Sequence, residues 1–182
     1  MAFPFDECVE ILRSSLIEAL TVHGETLRDL NRVEPFLAMT FDILPWDPYL
    51  GIGFRIEAES TGVSLTHSAD WKHGRLIGDW NSTAIASAQE FIHRAYKTLG
   101  DGGDEMQEAA HLIFLAGADA LLDERVAVQL QSLGVKAPIR GDTLPWDYFQ
   151  YLVIDIDCAI KTNYCDIVSA NRVTRRILGR MV

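Results

Sequence analysis

The 182-residue chain predicts a single α+β domain, a mostly antiparallel sheet packed by about four or five helices. Three observations predict it. The length is close to that of one domain and leaves a second without material. About 48% of the residues are apolar and 23% charged, enough to bury a sizeable core and unlike a disordered chain. Hydrophobic periodicity alternates between helix-like and strand-like stretches without strict βα succession, which favours hairpins over a parallel, doubly wound sheet.

The elements follow in order. Asp6 is placed to cap a first helix whose apolar positions Cys8, Ile11, Leu12, Leu16, Ala19 and Leu20 recur at helical spacing. Gly24 ends or interrupts it. After Pro35, residues Leu37, Met39, Phe41 and Ile43 alternate on one side of a strand. A cleaner strand then places Leu50, Ile52, Phe54 and Ile56 on one face and Gly51, Gly53, Arg55 and Glu57 on the other. Val63 and Leu65 mark a shorter strand candidate, and residues 68–82 read as turn-rich. Ser82 or Asn81 caps a helix with Ile85, Ala88, Ile92, Ala95 and Leu99 on its core face. A glycine-rich break at 100–103 precedes Asp104, the expected cap of the next helical stretch, which Gly134 stops. Phe149–Asp157 is almost continuously apolar, as a central strand is, and Ser169 is placed to cap a last helix.

Composition excludes several functions. The net charge is −10, and an acidic chain repels phosphate backbones and anionic membrane, so neither nucleic acid nor membrane is an expected partner. The last twelve residues carry Arg172, Arg175, Arg176 and Arg180 and no acid, so residues 1–170 must offset that +4 and hold −14. No apolar stretch approaches the roughly 20 residues of a membrane span. No basic residue precedes Arg13, so a secretory signal is not expected and the expected location is the cytoplasm. Three cysteines, Cys8, Cys158 and Cys165, make no CxxC pair and no disulfide framework. No phosphate loop, nucleophile elbow or HExxH is present, and no cofactor is expected.

Two features point toward chemistry. Asp42-Ile43-Leu44-Pro45-Trp46-Asp47-Pro48-Tyr49 is echoed by Asp142-Thr143-Leu144-Pro145-Trp146-Asp147-Tyr148-Phe149, each copy directly before a strand. Trp46 and Trp146 either lid the ends of the core or serve as rigid anchors in an interface, where tryptophan is enriched among hot spots. If the two strands run the same way, both tryptophans share one rim of the sheet. Asp155 and Asp157 lie two apart on one face of the last strand. They either meet solvent at the strand end or bind a cation and share acid–base work, the basis of an alternative reading as a metal-assisted hydrolase. The arginine stripe Arg172, Arg176 and Arg180 reads as a solvated face or one docked on the acidic body.

The N-terminal helix, the Phe36–Ile43 and Leu50–Glu57 hairpin, Asp70-Trp71-Lys72 before a turn, the Asp155 and Asp157 strand end and Ser169-Ala170-Asn171-Arg172 form a wider pattern. Across roughly residues 5–175 it resembles an uncharacterised bacterial family, a domain of unknown function with relatives among polymorphic-toxin immunity proteins. The resemblance implies a small α+β cytoplasmic protein without a known catalytic centre. Together with the acidity it implies an immunity-type protein that neutralises a cationic toxin or effector domain by direct binding. Trp46, Asp47, Trp71, Trp146, Asp147, Asp155 and Asp157 are the expected partner-contacting residues. A homodimer seamed by the tryptophans is the other association the sequence allows.

Overall fold

The computed structural model describes residues 3–98, 103–139, 149–155 and 161–179. Two N-terminal helices, α1 (Phe5–Val22) and α2 (Gly24–Val33), lead into a hairpin of β1 (Phe36–Leu44) and β2 (Tyr49–Ile56). Then come β3 (His73–Gly78), α3 (Thr83–Lys97), α4 (Asp104–Leu121), α5 (Glu124–Ser132), β4 (Gln150–Leu152) and α6 (Tyr164–Gly179). The sheet order is β3-β2-β1-β4, with β1–β2 and β2–β3 antiparallel and β1–β4 parallel. The expected α+β domain is therefore present, with one parallel ladder in an otherwise antiparallel sheet.

Alternation along the strands sorts their side chains between two environments. Met39, Phe41, Ile43, Leu50, Ile52, Phe54 and Ile77 join the helices in the main core. There α3 packs on β2 and β3, α4 packs on β1, and α1 packs on α3, α4 and α5. Gly117 marks the closest approach of α4 to the sheet, since a Cβ there would lie 2.3 Å from Ile43 Cδ1. The opposite face carries a smaller cluster of Ala38, Trp71, Leu152 and Ile154, onto which Val63 and Leu65 pack from the excursion between β2 and β3.

Several expectations change in detail. Helix α1 starts at Phe5 behind Pro4, so Asp6 sits in its first turn, favourable to the helix dipole, and does not cap it. Asp104 likewise occupies the first turn of α4, with Gly103 at the cap position. The final helix begins at Tyr164, and Ser169 lies inside it. Ser82 does cap α3, its hydroxyl accepting from the Ile85 amide. Gly134, at φ +81°, closes α5 in a Schellman arrangement, with its own amide donating to Gln131 O and the Val135 amide to Leu130 O. Val63 and Leu65 contribute apolar packing but no strand, and the turn-rich segment holds β3.

The last strand is shorter than expected, and among the described residues it lies at an edge of the sheet. Its run is apolar because both faces are covered: Tyr151 and Val153 face the main core, Leu152 and Ile154 the smaller cluster. Asn163 seals its outer side. The Asn163 carboxamide accepts from the Val153 amide at 3.2 Å and donates to Tyr151 O at 3.0 Å, while the Tyr164 amide donates to Val153 O. An edge satisfied in this way offers no template for another strand. Of the arginine stripe, Arg172 is docked, donating to Leu122 O at 2.8 Å and to Asp119 O at 3.1 Å, which satisfies carbonyls at the end of α4. Arg180 lies outside the described residues. Cys8 and Cys165 are buried, and burial, reinforced by the Glu7 charge, pushes the Cys8 thiol up to about 12.

Candidate functional site

Asp42 is the most consequential polar residue of the sheet. It alternates with the core residues Phe41 and Ile43 and so faces the smaller side, where it is only 8% exposed. Two hydroxyls hold it. Thr40 Oγ1 donates to Asp42 Oδ1 at 2.6 Å, and Ser68 Oγ lies 3.1 and 2.9 Å from the two carboxylate oxygens. Ser68 reaches the strand because a tight 3-10 turn, Ser68–Asp70, folds the excursion back over the sheet. Trp71 follows that turn and is the excursion's anchor, 4% exposed, with its indole N–H donated to Ser64 O at 3.0 Å. Burial pushes the Asp42 carboxyl above the usual carboxylate range, and the Thr40 and Ser68 hydrogen bonds and the Arg75 charge only partly offset it.

The direction of that shift fixes a pH dependence. A carboxyl whose folded pKa is raised contributes stability that is fully present below its unfolded pKa, near 3.9 for aspartate. That contribution is lost as pH rises through the folded value. Wild type should therefore lose stability relative to Asp42→Asn as pH rises above about 4. Thermal melts of the two proteins at rising pH check this; a constant difference in Tm would show that Asp42 ionises as it does in the unfolded chain.

Next to Asp42 an aromatic pair lies on a pair of glycines. Gly51 and Gly78 are partners across β2 and β3, and Gly51 is also the partner of Asp42 across β1 and β2. The Tyr49 side chain folds over Gly51, where a Cβ would stand 2.6 Å from its hydroxyl, and the Trp80 ring covers Gly78, where a Cβ would stand 2.2 Å from the ring. The two rings stack with centroids 6.3 Å apart, and the Arg75 guanidinium lies 5.6 Å from the Tyr49 ring centroid. Rings laid over strand glycines restore the packing those glycines lack. The Tyr49 hydroxyl is buried and has no hydrogen-bond partner among the described residues. Burial, followed by the Asp42 charge, pushes it up to about 12.

One cavity of about 390 Å³ lies between the sheet, the Pro45–Pro48 turn and the excursion. Asp42 and Tyr49 lie beside Ser68 and His67 in its wall, with Asp47, Asp70, Arg75 and Lys161 also lining it. A second concavity, about 310 Å³, lies against Trp80 and is bordered by Glu18, Val22 and Asp79. Trp80 is 54% exposed and Val22 69%. Among the described residues no group of three or more His, Cys, Asp or Glu is placed to hold a metal ion.

Among the described residues, those singled out by sequence are dispersed. Asp47 lines the Asp42 cavity, but its neighbour Trp46 turns to the helical side, half-buried and edge-on to Phe114 with centroids 6.1 Å apart. Trp71 is buried under the excursion. Asp155 follows β4, and Trp146, Asp147 and Asp157 lie outside the described residues. The condition for a shared rim, that the two strands run the same way, is not met. Because β1 is antiparallel to β2 and parallel to β4, the two strands that follow the echoed loops run oppositely. Gln150 pairs with Ala38 near the start of β1, whereas the Trp46 turn follows its end. Sequence reasoning passed over Asp42, Tyr49, Ser68, Arg75 and Trp80 as site residues. The available signal was Thr40 and Asp42 alternating through an apolar strand opposite the Gly51 and Gly53 face. Comparison with protein-family models, curated proteins and solved structures returns no match.

Proposed function

We propose that the chain is a non-catalytic, immunity-type binding protein that neutralises a cationic protein domain, docking it on the Trp80 face. The exposed Trp80 indole carries this reading. It is stacked on Tyr49 over Gly78 and bordered by the apolar Val22 and the carboxylates Glu18 and Asp79. A pre-positioned indole loses little freedom on binding and fits the composition of interface hot spots. The acid border and the net −10 supply complementarity to a basic surface and speed encounter with it.

The test compares wild type and Trp80→Ala as bait in the native cell, followed by direct titration of the purified partner. A basic domain that binds wild type, weakens with added salt and loses roughly 30-fold or more in affinity to Trp80→Ala is the expected result. Equal affinity for the two baits, or an acidic partner insensitive to salt, would reject it. Since Trp80 is exposed, the substitution should leave Tm within a few degrees.

A further inference from the structure

We infer that the cavity over Asp42 is a binding site for a small zwitterion of the free α-amino-acid class, its ammonium received by Asp42 and the Tyr49 hydroxyl and its carboxylate facing Arg75. This goes beyond the protein partner proposed for Trp80 and does not depend on it. The unpartnered Tyr49 hydroxyl is the first reason: a buried phenol hydroxyl without a hydrogen bond is rare, and Tyr49 is one of the residues that line the cavity. It lies over Gly51, the cross-strand partner of Asp42, so the hydroxyl and the carboxylate share one cell of the sheet. Gly51 is what leaves room for it.

The charge pattern selects the ligand. Asp42 has two hydroxyls on its oxygens, and a carboxylate offers about four acceptor positions, so it retains capacity for a donor. An ammonium brings three donors and a compensating charge. A simple anion would meet the buried Asp42 carboxyl and the Asp47 and Asp70 side chains, and a bare cation would meet Arg75 and Lys161. A molecule carrying both charges satisfies both ends. The volume of about 390 Å³ lies within the range of small-molecule sites and is large enough for an amino acid.

The experiment is calorimetric titration of the full chain with each of the common L-amino acids up to about 10 mM, a limit that captures weak millimolar sites. For the tightest, the amine lacking the carboxylate and the acid lacking the ammonium are titrated alongside. Expected is saturable one-to-one binding that both truncated analogues lose. Tyr49→Phe, which keeps the ring stacked on Trp80, should weaken it severalfold, and Asp42→Asn roughly tenfold or more. No binding by any amino acid, an acid analogue that binds as well, or an affinity unchanged by Tyr49→Phe would overturn the inference. If Asp42→Asn does not fold, Tyr49→Phe decides alone. A protein partner lost by Trp80→Ala bears on the other reading only.

Discussion

Truncation of Phe114 to alanine should cost about 3–5 kcal/mol of folding stability, the range for deleting a buried aromatic side chain. Phe114 is fully buried on α4 at the junction of three segments. Its ring meets the edge of Trp46 from the β1–β2 turn and lies 5.1 Å, centroid to centroid, from Tyr164 at the start of α6. Tyr164 is fixed in turn by a hydrogen bond between its hydroxyl and His111 Nδ1. Removing the ring opens a cavity between elements held by separate hydrogen bonds, so collapse into the space is restricted and the cost belongs at the upper end. For a chain of this size each kcal/mol corresponds to about 2–4 °C in Tm. A Tm lowered by roughly 6 °C or more is thus expected in thermal melts, with Phe114→Leu losing much less. A loss below about 1 kcal/mol would mean that the turn and α6 are not tied through this ring.

How much of this was legible in the sequence follows from how local each interaction is. Helices α1 and α3 were readable because apolar spacing and, for α3, the Ser82 cap act within a few residues. The β1–β2 hairpin was readable because its alternation is strict and only four turn residues separate the strands. Helix α2 escaped notice because only Leu27 among its apolar side chains is fully buried. Strand β3 was hidden by Gly74 and Gly78, which resemble turn residues until the close approach of neighbouring groups is known. The site was the least legible part. Asp42 acquires its role from Ser68, 26 residues away. Tyr49 and Trp80 meet only because Gly51 and Gly78 fall in register. Neither contact has a signature in composition or spacing, whereas Trp46 and Trp71, conspicuous as residues, are employed in packing.

Replacement of Gly74 by alanine should destabilise the fold by about 3 kcal/mol or more and empty the site in the same step. An added Cβ would stand 1.8 Å from Ser68 O and 2.9 Å from the Ser68 carbonyl carbon. These are backbone atoms, so no rotamer change relieves the overlap; the Ser68–Asp70 turn itself must move. Its displacement withdraws the Ser68 hydroxyl from Asp42, leaving a buried carboxyl with one hydroxyl donor, and loosens Trp71, whose carbonyl accepts from the Gly74 amide at 3.1 Å. Overpacking alone costs about 1–3 kcal/mol. Leaving the buried carboxyl short of a hydrogen-bond partner adds about 1–3 kcal/mol. Gly53→Ala should act at the same place, since its Cβ would stand 2.3 Å from Gly74 O, whereas Gly179→Ala, with open space around it, should be neutral or slightly stabilising. Chemical denaturation of the three variants checks the ranking. If Gly74→Ala kept wild-type stability, the excursion would be adaptable there, and neither the position of Ser68 nor the shape of the cavity over Asp42 would be set by this contact.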